Sequence, residues 1–225
     1  MDGYRDRTEA GQVLGELLRA QLRDLPHDDV VVIGLARGGV PVAVEVARAL
    51  NAALDVCVVR KLGAPGQPEF AFGAIAEDDG GVVEFLDVDT VRELRLRDAD
   101  VDNVRRIAAS ELSRRAHAYR TGRAPLDVRD KHVVLVDDGL ATGATMRAAT
   151  RAMRDRGAAA VTVAAPVGAP DTAAALRADA DVVCPLTPAN FFAVGYHYDD
   201  FRATTDDEVT AALSAYRSSR GDCSG

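Results

Sequence analysis

Thirteen residues, Val133 to Thr145, constrain this chain more than any other stretch. Val133-Val134-Leu135-Val136 is a short, wholly apolar run, the signature of a strand buried on both faces of a parallel sheet. Asp137 and Asp138 follow where that strand must end. Gly139, Leu140, Ala141, Thr142, Gly143, Ala144 and Thr145 then make a turn of small residues, and helical periodicity runs from Thr145 to Arg156. Strand, acidic pair, small-residue loop and helix start together form a phosphate cradle with carboxylates beside it. In open α/β sheets, ligands sit outside the carboxyl ends of the strands. The cradle's N–H groups and the Thr142 and Thr145 hydroxyls suit an anion. Asp137 and Asp138 would repel one, so they suit sugar hydroxyls or a divalent cation. A phosphorylated sugar satisfies both halves. The stretch has no Gly-Lys-Ser/Thr of a triphosphatase loop and no Gly-x-Gly-x-x-Gly.

The rest of the chain reads as α/β. An amphipathic helix spans Thr8 to Leu22, and Val30 to Leu35 is a buried strand ending in Ala36-Arg37-Gly38-Gly39-Val40-Pro41. A helix runs from there to Leu50, and a second strand covers Asp55 to Arg60, which completes a right-handed βαβ unit. Lys61 to Gly81, with its glycines and prolines, reads as a long functional loop. A short strand covers Val82 to Leu86. The charged stretch Thr90 to Arg120 reads as one helix or two joined near Ala99, its charge a solvated face. Strands at Ala160 to Ala165 and Asp181 to Leu186 bracket a short helix at Pro170 to Arg177. Aromatics gather without period between residues 187 and 205, and Asp206 to Arg217 is a terminal helix. The expectation is one domain over residues 1–217, its central, mainly parallel sheet flanked by helices, with a small hood from about 61–86 and 187–205, and a disordered tail at 218–225.

Net charge is −8, which argues against a nucleic-acid or anionic-membrane partner. Without a long apolar run or a leader, the chain reads as cytoplasmic. Lys61 and Lys131 are its only lysines. An Asp-rich, Lys-poor surface fits a high-salt cytoplasm and equally a biased genome. Cys57, Cys184 and Cys223 show neither metal-ligand spacing nor a disulfide framework.

The cradle resembles the phosphoribosyl-pyrophosphate signature of type I phosphoribosyltransferases. Ala36-Arg37-Gly38-Gly39 is similar to the pyrophosphate loop of the purine enzymes, which implies contacts from Arg37, Gly38 and Gly39 and a cis peptide between Ala36 and Arg37. Val59-Arg60-Lys61-Leu62-Gly63-Ala64-Pro65-Gly66 resembles the flexible catalytic loop of adenine enzymes, with Lys61 on pyrophosphate and Glu69 as a lid acid/base. Phe192-Ala193-Val194-Gly195-Tyr196 resembles the hood of 6-oxopurine enzymes, with Phe192 stacking on the base and Asp199 near the metal. The chain as a whole is most similar to a predicted phosphoribosyltransferase group sharing the Arg-Gly-Gly-Val-Pro loop, over roughly residues 4 to 210.

That resemblance implies transfer of phosphoribose from phosphoribosyl pyrophosphate to a nitrogenous base, a purine by preference, with Mg2+ and release of pyrophosphate. It assigns Lys61, Glu69 and Asp138 to catalysis and Asp137, Asp138 and Asp199 to the metal. It also implies substrate contacts along 137–145, nucleotide salvage as the setting, and a homodimer. Ala141 stands where 6-oxopurine enzymes carry an acid, and no lysine follows Lys131 to read an exocyclic oxygen. The segment Asp87 to Arg120 matches neither enzyme group. The alternative is a non-catalytic regulator sensing phosphoribosyl pyrophosphate or a nucleotide.

Overall fold

A computed structural model describes residues 3–78, 81–120 and 124–221. Seven strands form one sheet in the order β4-β3-β2-β1-β5-β6-β7. They are β1 (Val30–Ala36), β2 (Ala53–Ala64), β3 (Gln67–Asp78), β4 (Gly81–Leu86), β5 (His132–Val136), β6 (Ala160–Ala164) and β7 (Asp181–Val183). Across the sheet from β2 to β7 neighbouring strands run parallel, whereas β2–β3 and β3–β4 pair antiparallel.

The helices are α1 (Arg7–Gln21), α2 (Gly39–Leu50), α3 (Val88–Glu93), α4 (Asp98–Arg120), α5 (Ala144–Asp155), α6 (Pro170–Leu176) and α7 (Asp206–Ser219). They cover both faces of the sheet, and side-chain alternation sorts the strands between two cores. Val30, Val32, Val56, Val134 and Val136 pack with residues of α1, α2, α4 and α7. Val31, Ile33, Leu35, Val133 and Leu135 pack with α5 and Leu176 of α6. Double burial explains why β5 has no polar alternation. No helix among the described residues is long and apolar enough to cross a membrane.

Two expectations are corrected here. Lys61 to Gly81 is mostly not a loop, nor is 61–86 a hood apart from the sheet. β2 continues to Ala64, turns through Pro65-Gly66, and returns as β3 to Asp78. Gly66 takes φ +78°, which a two-residue turn after Pro65 requires. The pairing register shifts around Gly63, so glycines that suggested a loop mark a turn and an irregular strand. Phe72 to Ala76 are all buried, whereas Phe70, on the same face nearer the turn, is 56% exposed, so the covered part of the strand begins only after Phe70. The second correction is at the C-terminus. α7 reaches Ser219 and a turn follows, so 218–221 is ordered backbone; residues 222–225 lie outside the described residues.

The segment read as charged helix is two helices, joined through Arg95 at φ +51°. Most of its charge is solvated, as in the pairs of Glu111 with Arg114 and Arg115. Arg120 is the exception. It is 4% exposed and pairs with Asp55, 2% exposed, and with Glu77 of β3, while donating to the Val56 carbonyl at 2.6 Å. This network fastens the end of α4 to the sheet.

Candidate functional site

The site lies where β1 and β5, adjacent and parallel, end together. The Ala36–Arg37 peptide leaving β1 is cis, as the loop's resemblance implied. Gly38 and Gly39 then pass directly over the acidic pair. A Cβ on Gly38 would overlap Asp138 Oδ2, and one on Gly39 would lie 2.5 Å from the Val136 carbonyl. Glycine is required at both because loop and carboxylates are in contact. The Arg37 side chain turns the other way, to within 3.6 Å of Asp206 Oδ1 on α7.

Asp137 and Asp138 are partly buried. The Asp138 N–H donates to Asp137 Oδ1 at 2.9 Å. Burial, then the Asp138 charge, pushes the Asp137 carboxyl well above the usual carboxylate range, against the opposing Lys61 and Arg7 charges. Burial raises Asp138 too, and Arg7 opposes it. Such a pair holds a proton more readily than free carboxyls do, and a cation or hydroxyl donors could take that proton's place.

Arg7 was not foreseen from sequence. Its Nε donates to Asp138 Oδ2 at 2.8 Å, and Nη2 lies 2.7 Å from the same oxygen. Its guanidinium sits 4.1 Å over the Phe201 ring, and Nη1 donates to the Arg202 carbonyl at 2.8 Å. Tyr198 adds a second tie by donating its hydroxyl to the Asp138 carbonyl at 2.7 Å. A lone arginine in a first helical turn carries no sequence signal for this role. Tyr198 and Phe201 belong to the aromatic stretch already singled out.

Within the cradle, the part expected of Leu140 is corrected. The Leu140 N–H donates to the Val167 carbonyl at 2.9 Å and its side chain is buried, so Leu140 anchors the loop and offers no donor to a phosphate. Thr172 Oγ1 donates to the Ala141 carbonyl at 2.6 Å. Gly143 takes φ +78° as the residue preceding α5, and no side chain caps that helix among the described residues. The first N–H groups of α5 therefore point out unpaired beside Thr142 and Thr145. Gly139 carries no side chain because Val194 of the hood fills the space a Cβ would need.

Phe192 is 81% exposed and meets Tyr196 edge-on at 5.2 Å. Asp199 is exposed, and its backbone N–H donates to the Tyr4 carbonyl at 2.9 Å. Among the described residues no three His, Cys, Asp or Glu gather as a metal-binding group, so Asp199 does not join Asp137 and Asp138 in one cluster. Lys61 sits exposed on β2, its charge felt at Asp137. The Glu69 side chain lies outside the described residues.

The model of the phosphoribosyl transferase domain matches residues 2–200. Two proteins of Mycobacterium tuberculosis, from strains CDC 1551 / Oshkosh and H37Rv, are provisionally named phosphoribosyl transferases. Each is 50% identical over 211 residues, covering 93% of this chain and 46% of its own. The chain thus spans about half the length of these curated relatives. The crystal structure of TT1426 from Thermus thermophilus is 42% identical, with a TM-score of 0.77 over 95% of this chain and 99% of that one. The AQ2163 protein of Aquifex aeolicus shares the fold alone, at 13% identity and a TM-score of 0.51 over 80% and 74% of the two chains.

Proposed function

The chain belongs to the phosphoribosyl transferase domain family, and from that premise we propose that it transfers phosphoribose from phosphoribosyl pyrophosphate to a nitrogenous base. One observation carries the reading. The uncapped start of α5, after left-handed Gly143, adjoins a crowded acidic pair that the Gly38-Gly39 loop touches. The phosphate of a bound sugar would take the N–H groups of 141–145. Its ring hydroxyls would donate to Asp137 and Asp138, and pyrophosphate would meet the backbone of 37–39 and Lys61. Asp137 and Asp138 suit Mg2+, which is commonly held by one or two carboxylates with the remaining oxygens from substrate phosphates. When bound, that ion would neutralise the departing pyrophosphate.

The chain's own part in the reaction is binding, orientation and exclusion of water. Transfer passes through a ribosyl cation, which Asp138 would stabilise from below while the Lys61 hairpin covers it. Glu69 is proposed as the acid/base on that hairpin, Phe192 as the ring that stacks on the base, and Asp199 as a carboxylate reaching the metal through movement of the hood. A purine acceptor is preferred because Phe192 and Tyr196 leave an exposed aromatic face. Ala141 leaves the cradle without an acid at that position, which favours a base needing no proton from it.

The test is pyrophosphate release from phosphoribosyl pyrophosphate and Mg2+ over a panel of purines and pyrimidines. Base-dependent release supports transfer. Tight donor binding with no turnover on any base would instead establish a sensor.

A further inference from the structure

A cavity of about 600 Å3 adjoins the cradle at Thr142 and Ala144. Phe70, Phe85, Val88, Thr142, Arg147 and Lys61 are among its lining residues. Asp137, Asp138, Arg37 and Phe192 do not line it. It lies beside the space where the transfer is placed, and Thr142, Ala144 and Lys61 border both.

Its lining joins apolar surface to two cationic side chains, Lys61 and Arg147, and one carboxylate, Asp87. Phe70 and Val88 are each 56% exposed, large apolar surfaces left facing solvent here. The Arg147 guanidinium lies 5.6 Å from the Phe85 ring centre, held by Asp179. Lys61 makes no hydrogen bond or ion pair with any described residue. The carboxylate of Asp87, which also lines the cavity, is committed to capping α3 through the N–H groups of Asp89 and Thr90. A planar ring can lie against Phe70 and Phe85, and an anionic substituent would meet Arg147 and Lys61. The volume suits one small ring system.

We propose that this cavity binds a small aromatic carboxylate, with its ring against Phe70 and Phe85 and its carboxylate toward Arg147 and Lys61. The proposal goes beyond the transfer reaction and does not need it. The pocket is built by β2, β3, β4 and α3 on one part and by the cradle and α5 on the other.

The experiment is calorimetric titration of the full chain with 2-naphthoate, 2-naphthamide and cyclohexanecarboxylate. Saturable one-to-one binding of naphthoate is expected, at least ~10-fold tighter than either comparison ligand. Phe70→Ala and Arg147→Gln should each weaken it at least ~10-fold, and Phe192→Ala should leave it unchanged. Melting curves identify any variant that fails to fold, and two variants in different elements guard against that. No saturable binding, equal binding of the neutral amide, or loss in Phe192→Ala with retention in Phe70→Ala would overturn the proposal. Pyrophosphate release measured on the same proteins reads the transfer reaction separately. Its absence would strike that reading and leave this one standing.

Discussion

Arg7 and Asp138 stand 131 residues apart in sequence and share a partly buried, doubly contacted ion pair at the mouth of the sheet. The pair joins the first turn of α1 to the acidic pair, and through Phe201 and the Arg202 carbonyl to the hood. It orients one oxygen of Asp138, Oδ2.

Arg7→Ala should therefore act on both stability and binding. It leaves the Asp138 carboxylate without its cation, and Asp138, already raised by burial, rises further. The part-protonated acid softens the penalty to about 2 kcal/mol, below the full cost of orphaning a buried charge. That is roughly 4–8 °C in melting temperature for a chain of this size. Donor affinity should fall at least ~10-fold. Arg7→Lys should recover part of the stability and little of the affinity, because one ammonium cannot replace a guanidinium that contacts Asp138, the Phe201 ring and a carbonyl at once. Calorimetry and donor titration on both variants check this, and full recovery by lysine would contradict it.

The two loop glycines should separate binding from folding. A methyl at Gly38 meets the end of the Asp138 side chain, which can swing aside at the expense of the Arg7 contact. A methyl at Gly39 meets the Val136 carbonyl and Asp137 Cα, which are backbone and cannot move alone. Gly38→Ala should fold with a small loss in melting temperature and lose most donor affinity. Gly39→Ala should lose several degrees more. The reverse order of melting temperatures would show that the loop sits further from the carboxylates.

How much of this was legible beforehand follows from the range of the interactions. The cradle's small residues, the acids after β5 and the glycines after β1 act within a few residues of themselves, so sequence displayed them. The Pro65-Gly66 turn was equally local, yet its glycines masked a strand whose pairing with β4 lies outside the segment. Arg7 was invisible because its partner is on another element, and Arg120 because a burial that only Asp55 and Glu77 make tolerable looks in sequence like one more charge on a solvated helix. The Leu140 anchor was missed for a similar reason. Its N–H is claimed by Val167, a bridge formed only after β6 has been laid beside β5.

Arg120→Ala should destabilise the fold without touching the site. It leaves Asp55 and Glu77 buried against each other with less compensation, a change worth about 3–5 kcal/mol where a buried pair is broken. A fall of roughly 10 °C or more is expected. Adding Asp55→Asn to Arg120→Ala should recover part of it by removing one uncompensated charge. Donor affinity measured well below the melting temperature should stay within about twofold of wild type; a large loss would mean that α4 also shapes the site.

Asp137→Asn gives the sharpest opposition between stability and function. Burial and Asp138 raise the Asp137 carboxyl in the folded state, so folding favours its protonated form. Its contribution is most favourable below the unfolded carboxylate value of about 3.9 and is lost as pH rises through the raised folded value. Above that, the ionised group opposes folding. Asparagine cannot ionise, and its carbonyl oxygen can still accept the Asp138 N–H. The variant should melt a few degrees above wild type at pH 8, and the gap should close as the pH is lowered toward 5. Binding of donor with Mg2+ should meanwhile drop by at least ~10-fold, since a neutral amide is a poor partner for a cation. Melting scans across pH 5 to 8 decide it. A variant less stable than wild type at pH 8 would mean that Lys61 and Arg7 already outweigh the cost of burying that charge.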